Sequence, residues 1–349
     1  MRVVITGATG NLGTSVLEAL ADETQVEEIV GIARRVPRRE FARTTFVAAD
    51  IVKDDLEGLF AGADAVVHLA WLIQPGHDES VTRAVNVTGS QRVFEAAAAA
   101  RVPSLLYASS VGAYSEGPKD RLVAESWPTD GIPTSFYSRH KAITERQLDR
   151  LEQEHPELRV VRIRPALVFK RDAATEIRRL FIGPLLPRSL VRPRWIPVVP
   201  DLPRLRFQAV QSLDVGDAFR RALLADAGGA FNLAADPVID PSVLAEVLQA
   251  RRVKVPATVL RAGAAATFKL RLQPTEAGWV DMALAVPLMD SRRAREELGW
   301  EPKRSATEAL SELLEGIRGA DELDTPPLAR GTSGPARLRE LLTGVGGRV

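Results

Sequence analysis

Tyr137 and Lys141 stand four residues apart in a chain that holds 3 tyrosines. On a helix that spacing puts both side chains on one face. An unperturbed phenol titrates at about pH 10 and exchanges protons poorly at neutrality. A neighbouring ammonium favours the phenolate and lowers that pKa. Such a pair can give a proton to a substrate oxygen, or take one from it, while hydride moves at the adjacent carbon. Two hydroxyls, Ser109 and Ser110, lie at the end of an apolar run, where ligand sites of parallel sheets form. The run TGATGNLG carries Gly7, Gly10 and Gly13. A tight turn needs a residue that tolerates positive φ. A pyrophosphate needs backbone approach unobstructed by a Cβ, and a following helix offers free N–H groups and its positive dipole end.

These groups need a scaffold, and the first 165 residues predict one. Apolar runs of strand length fall at residues 2–6, 28–33, 45–48, 65–70, 104–109 and 159–163. Stretches with helical spacing or high helix propensity fall between them, at 12–21, 56–60, 79–100 and 137–154. Strands apolar throughout and separated by helices imply a parallel sheet covered on both faces. The expected fold class is therefore α/β, a Rossmann-type doubly wound parallel sheet with a smaller, discontinuous C-terminal substrate lobe. The glycine loop sits between the first strand and the first helix, the context that a dinucleotide-binding fingerprint requires. After Pro165 the texture changes. Residues 183–203 are rich in proline and arginine and predict an irregular excursion. Helices are expected at 212–224, 241–249, 291–298 and 306–318, with one more buried strand at 230–233. The expected division is a dinucleotide-binding domain over 1–165 with a returning segment near 209–235, a substrate lobe over 166–318, and a flexible tail over 319–349.

Composition narrows the function classes. The 349 residues are 45% hydrophobic and 26% charged, with net charge +1. That is an ordinary globular balance, without the basic surplus a nucleic-acid binder uses to release counterions. There is no cysteine, which excludes thiolate nucleophiles and disulfides. The 4 histidines show no ligand spacing, so no metal site is expected. The chain opens directly on a strand, and no apolar run reaches membrane-spanning length. A cytoplasmic location without membrane or nucleic-acid partners is the expectation.

The GxxGxxG spacing resembles the short-chain dehydrogenase/reductase superfamily, and the opening is similar to its extended subgroup of epimerases and dehydratases. Further motifs follow in that family's order through residue 318: Asp50-Ile51, His68-Leu69-Ala70, Asn86 in NVTGS, SSVGAY at 109–114, Tyr137 with Lys141, RPALVF at 164–169 and LGWEP at 298–302. The resemblance implies that Gly7, Thr9, Gly10, Asn11, Leu12 and Gly13 cradle the cofactor and that Asp50 and Ile51 flank its adenine. It also implies that Leu69, Ala70 and Trp71 pass beside its ribose and diphosphate, and that Pro165 borders its far end. Trp71 is unusual there; it either walls the substrate pocket or packs in the core. Asn86 resembles the asparagine that orders the catalytic strands. Counting from Tyr114 selects Ser110 as the catalytic serine, with Ser109 beside the nicotinamide, although Ser115 stands where the family has glycine. Lys141 would also hold the nicotinamide ribose. A homodimer through the helices at 79–100 and 137–154 is implied as well.

The second strand ends at Ala33-Arg34-Arg35, where an NAD site carries an acid. A guanidinium pairs bidentately with a 2′-phosphate. NADP is therefore the expected cofactor, with Arg34 before Arg35, and NAD the alternative. For the substrate, the family's nucleotide-sugar clamp is altered. The matching stretch runs from Arg206 to Asp214, with Gln211 in place of histidine, and 279–289 holds no second clamp arginine. Arg178, Arg179, Arg188, Arg192 and Arg194 are substitutes, while the apolar content of 181–195 suits an apolar substrate. Three readings follow: an epimerase or dehydratase that returns its hydride, a net carbonyl reductase or hydroxysteroid-like dehydrogenase, and a dinucleotide sensor. The Tyr137–Lys141 pair argues against the sensor, because a sensor needs no proton relay.

Overall fold

The computed structural model describes residues 1–73, 78–174, 177, 198–273, 275–319, 323–325 and 328. Seven strands form one sheet: β1 (Arg2–Thr6), β2 (Glu28–Ala33), β3 (Thr44–Ala48), β4 (Ala65–His68), β5 (Ser104–Ala108), β6 (Arg159–Pro165) and β7 (Gly229–Leu233). Their order across the sheet is β3-β2-β1-β4-β5-β6-β7, and every neighbouring pair is parallel. The strand order reverses between β1 and β4, the point at which sheets of this kind form a ligand crevice at the carboxyl ends of their strands.

Alternation along each strand builds two cores. Val3 and Ile5 point to one face with Val67, Leu106 and Ile163. Val4 points to the other with Val66, Leu105 and Val160. Helix α1 (Asn11–Leu20) and helix α4 (Ser212–Leu224) cover the first face through Val16, Leu17, Val215 and Phe219. Helix α2 (Ser90–Ala99) and helix α3 (Phe136–Glu154) cover the second through Val93, Phe94, Leu148 and Leu151. Burial on both faces explains why these strands read as continuous apolar runs.

The helix expected over 79–100 is interrupted. Glu79–Arg83 is α-helical, Ala84–Gly89 is π-helical, and α2 follows. The π segment contains Asn86, whose amide grips the backbone of Leu72 on both sides: Leu72 N–H donates to Oδ1 (2.8 Å) and Nδ2 donates to Leu72 O (2.9 Å). A widened turn at such a position is a common mark of a site.

Beyond β6 the chain makes a three-stranded sheet from Leu167–Phe169, Phe207–Gln211 and Ala235–Ile239, packed under helix Ala306–Gly319. The stretch expected to be irregular contains a strand, Val198–Asp201, which pairs with Arg251–Lys254. That pairing is non-local, so no short-range pattern announced it. Helices Ala257–Lys269 and Ala277–Ala285 were likewise not expected. The first fully buries none of its residues; Leu260, Ala264 and Phe268 form only a half-buried face. Arg178, Arg179, Arg188, Arg192, Arg194, the stretch 181–195 and most of the tail expected over 319–349 lie outside the described residues. No helix among the described residues is long and apolar enough to cross a membrane.

Candidate active site

The glycine loop closes the crevice from one side. Gly7 has φ +73°, and a Cβ on it would lie 2.6 Å from Ala70 N and 2.8 Å from Leu69 C. A Cβ on Gly13 would lie 2.3 Å from Gly7 O. Gly10 takes ordinary φ and caps α1 through its backbone; a Cβ there meets only Gly7 O, at 3.5 Å. Two of the three glycines are thus demanded by the protein's own packing. Thr9 is buried and Leu12 half-buried beside this turn. The Asn11 Oδ1 is buried without a hydrogen-bond partner among the described residues. A cradle without Cβ atoms at the N-terminus of α1, with the helix's free N–H groups directed out of it, fits a dinucleotide's diphosphate.

Around this cradle the other expected residues divide. Arg34 and Arg35 follow β2 and are exposed. Asp50 follows β3, and its Oδ1 accepts the Val52 N–H (3.0 Å) in a local turn. Ile51 is buried, touching the position of Gly89. Leu69 and Ala70 run against Gly7, as the approach distances above require. Ser109 turns away from the crevice and donates to Glu145. Pro165 is buried at the end of β6.

The proton-handling residues meet at the end of β5. Ser135 caps α3, which begins at Phe136, so Tyr137 and Lys141 project from its first turns. Burial pushes the Tyr137 phenol up to about 12, and the neighbouring Ser110 hydroxyl offsets part of that effect. The Lys141 ammonium donates to Tyr107 Oη (3.1 Å) and Ala108 O (2.6 Å). It lies 3.5 Å from the centre of the Trp71 ring and 6.0 Å from that of Tyr137. Burial holds its pKa well below the ordinary lysine value. The expectation that Lys141 lowers the Tyr137 pKa is not met in this arrangement. The ammonium is spent on Tyr107, Ala108 and Trp71, so desolvation dominates the phenol.

Trp71 meets the Tyr137 ring edge-on (5.9 Å, 77°), and Trp279 covers it from the helix Ala277–Ala285 (5.1 Å, 34°). Trp279 escaped sequence reading because it follows a glutamine- and proline-containing loop with no motif around it. Trp71 is half-buried, sits on Lys141 and also packs against the core of the second sheet face.

Behind the pair lies a buried charge cluster. Glu145 accepts from Arg164 through both oxygens (2.8 Å each) and from Arg162 (3.0 Å). These contacts outweigh desolvation and hold its carboxyl down at about 2. Arg164 also reaches Tyr114 Oη (3.0 Å), which donates to Asn232 (2.6 Å). The cluster ties α3 to β6 and β7, and so fixes where Tyr137 stands. Its signal was in the sequence: Glu145 follows Lys141 by the same four-residue step that separates Tyr137 from Lys141. His68, fully buried, bridges Thr6 (2.6 Å) and Ser90 (2.9 Å) beneath Lys141. Burial, with the Lys141 charge, drives its pKa down to about 3.

In the second lobe's stretch, Arg206 is half-buried and its Nε has no acceptor among the described residues. Gln211 caps α4 and donates to Glu312 (3.3 Å), a structural use. Among the described residues, no cluster of three His, Asp or Glu could hold a metal.

Residues 3–234 match the profile of the NAD dependent epimerase/dehydratase family. The chain spans 30% of the length of the first of its curated relatives, an uncharacterized protein of Mycobacterium tuberculosis, with 27% identity over 91% of this chain. It is 27% identical to a UDP-glucose 4-epimerase of Mycolicibacterium smegmatis, over 92% of this chain and 100% of that one. The fold is similar to that of UDP-glucuronic acid 4-epimerase from Bacillus cereus, solved with UDP-glucuronic acid and NAD (TM-score 0.66, 18% identity, 92% and 100% covered). With the family profile matched from the glycine strand through β7, the chain belongs to the NAD dependent epimerase/dehydratase family.

Proposed function

We propose that this protein is an NAD(P)-dependent enzyme of epimerase or dehydratase type, with Tyr137 as acid and base at a substrate hydroxyl or carbonyl. The convergence of Ser110, Tyr137 and Lys141 at the end of β5, facing the Gly7–Gly13 cradle, carries this reading. Gly7, Gly10, Asn11 and Gly13 would hold the diphosphate. Asp50 and Ile51 would border the adenine, while Leu69, Ala70 and Lys141 would hold the nicotinamide ribose. When bound, the dinucleotide supplies the hydride acceptor and donor. Ser110 and Tyr137 would jointly bind the reacting oxygen. A phenol held at about 12 keeps its proton at neutral pH and so stands ready as an acid. For the basic half-reaction, Lys141 would have to leave Tyr107 and approach Tyr137, lowering that pKa. Arg34, exposed at the end of β2, favours NADP over NAD, with Arg35 second.

A net carbonyl reductase is the second reading, favoured by the indoles around Tyr137. One experiment separates the two: denature freshly purified protein and identify any released dinucleotide by mass spectrometry. Tightly retained cofactor near one per chain is expected for the epimerase or dehydratase, and NADP is its expected identity. Empty protein that takes up added NADPH supports the reductase. In either case Tyr137→Phe should keep dinucleotide binding and lose about 10²–10⁴-fold in turnover. A chain that binds neither dinucleotide overturns both readings.

A further inference from the structure

Between Glu246 and Glu276 the chain holds six cations and no acidic residue: Arg251, Arg252, Lys254, Arg261, Lys269 and Arg271. In a chain of net charge +1 that run is a local excess. The strand Arg251–Lys254 is exposed along its whole length. The helix Ala257–Lys269 follows, and only its Leu260, Ala264 and Phe268 side is half-buried. The opposite side carries Val259, Ala262, Gly263, Ala266 and Leu270, all exposed, at the i, i+3, i+4, i+7, i+11 spacing of one stripe. Val259 is 58% exposed and Leu270 68%. Val253 before the helix and Leu272 after it are exposed as well. An apolar stripe turned toward solvent and bordered by cations is the reverse of an ordinary surface helix. Arg261 pairs with Asp281 (2.9 Å), whereas Arg251, Arg252, Lys254 and Lys269 form no ion pair among the described residues. The strand register sets Asp201 opposite Lys254, so the surface keeps a positive excess.

We propose that this strand and helix dock the protein on an anionic lipid surface. The helix lies in the plane of the membrane, with Val259, Ala266 and Leu270 inserted and the cations at headgroup level. No span is needed: the absence of a membrane-crossing helix among the described residues bears on passage through a bilayer, not on a helix lying flat upon it. Each cation gains free energy near acidic headgroups, and the aliphatic side chains gain by leaving water, so both parts of the surface favour the same partner. Charge also decides among the candidate occupants. A second copy would set the same positive surface against itself across a two-fold axis. The chain's own other segments carry the same sign: residues 177–197 hold five arginines and no acid, and 329–349 hold four arginines against one glutamate. A nucleic acid would meet the charges but leave the outward aliphatic stripe in water. The inference is independent of the reaction assigned to the crevice.

Co-sedimentation of the full chain with lipid vesicles tests the docking. Vesicles of equal parts phosphatidylcholine and phosphatidylglycerol should carry the protein down, and vesicles of phosphatidylcholine alone should not. Raising the salt from about 0.1 M to about 1 M shortens the screening length about threefold and should release it. Removing one cation, as in Arg252→Gln or Lys254→Gln, should weaken the partition about fivefold. Val259→Ser and Leu270→Ser, at exposed positions, should leave the melting curve in place and together weaken the partition at least about tenfold. The chain has no cysteine, so Ala266→Cys carries a single environment-sensitive fluorophore. Its emission should shift to the blue on the anionic vesicles, while the same label at Glu57→Cys in the first domain should not respond. If the serine variants fail to fold, the two labelled variants carry the test. No binding, equal binding to both lipids, or partition unchanged in the folded serine variants overturns the proposal. A dimer that Leu270→Ser abolishes would assign the face to a second copy, and duplex DNA held as tightly as the anionic vesicles would assign the charge to nucleic acid; either result also overturns it.

Discussion

Glu145 shows how one buried carboxylate can set a site it does not enter. It receives Ser109, Arg162 and Arg164 in a pocket from which water is excluded. Its partners repay the desolvation of a full charge only while all are present. Replacing it with glutamine leaves two guanidiniums facing a neutral amide, although Arg162 keeps Asp149 (2.6 Å). Glu145→Gln should therefore lose about 3 kcal/mol of stability or more, read from urea midpoints. A loss below about 1 kcal/mol would mean that the cluster contributes little to anchoring α3. Lys141 is the contrasting case: its charge is buried against oxygens and a π face, with Glu145 the nearest compensating carboxylate.

Elements meet here through glycine where side chains would hold them apart. α1 and α4 cross so closely that a Cβ on Gly216 would lie 2.4 Å from the Ser15 carbonyl oxygen. Ser15 and Ser212 hydrogen-bond at the same crossing (2.9 Å). The obstacle is backbone, so it cannot rotate away. Gly216→Ala should cost about 1–3 kcal/mol and lower the melting temperature, with the cofactor crevice displaced as α1 shifts. An unchanged melting curve would show that the two helices separate freely. The glycine loop is similar in kind: Gly7 and Gly13 are required by Ala70 and by the loop itself before any ligand arrives. Gly10 lacks that internal demand and serves as the N-cap of α1.

At the scale of the whole molecule, buried ionisable groups set the acid limit. His68 has its pKa depressed to about 3 against 6.5 for the free side chain. The unfolded chain therefore takes up a proton first, and this contribution to stability is present above pH 6.5 and lost as pH falls toward 3. Glu145, depressed to about 2 from 4.5, adds a second loss below pH 4.5. Urea midpoints should already fall from about pH 10.5 as the unfolded chain protonates Lys119 and Lys141, decline further from about pH 6.5 and fall again below about 4.5. His68→Gln should remove the decline that begins at about pH 6.5 and leave the other two. A decline from about pH 6.5 that survives in that variant would assign it to another group.

Much of the site could be read in the residues themselves. Local signals were strong wherever function and chain order coincide: Gly7, Gly10 and Gly13 between strand and helix, Tyr137 and Lys141 on one helix face, Ser110 at a strand end. The inner parallel strands followed from apolar runs because burial on both faces removes alternation, whereas the edge strand β3 is only partly covered. What the sequence by itself determined is thus the doubly wound sheet, the glycine turn between its first strand and helix, and the placing of Tyr137 and Lys141 on one helix face. Only the tertiary structure decided the surroundings of that pair. It turned Ser109 toward Glu145, placed Lys141 under Trp71, and brought Trp279 onto Tyr137 from 142 positions along the chain. Contacts of that separation leave no periodic trace, since each depends on where two independently folded elements are packed. The electrostatics followed the same rule: burial, a property of the whole fold, raised the Tyr137 pKa that the neighbouring charge alone would have lowered.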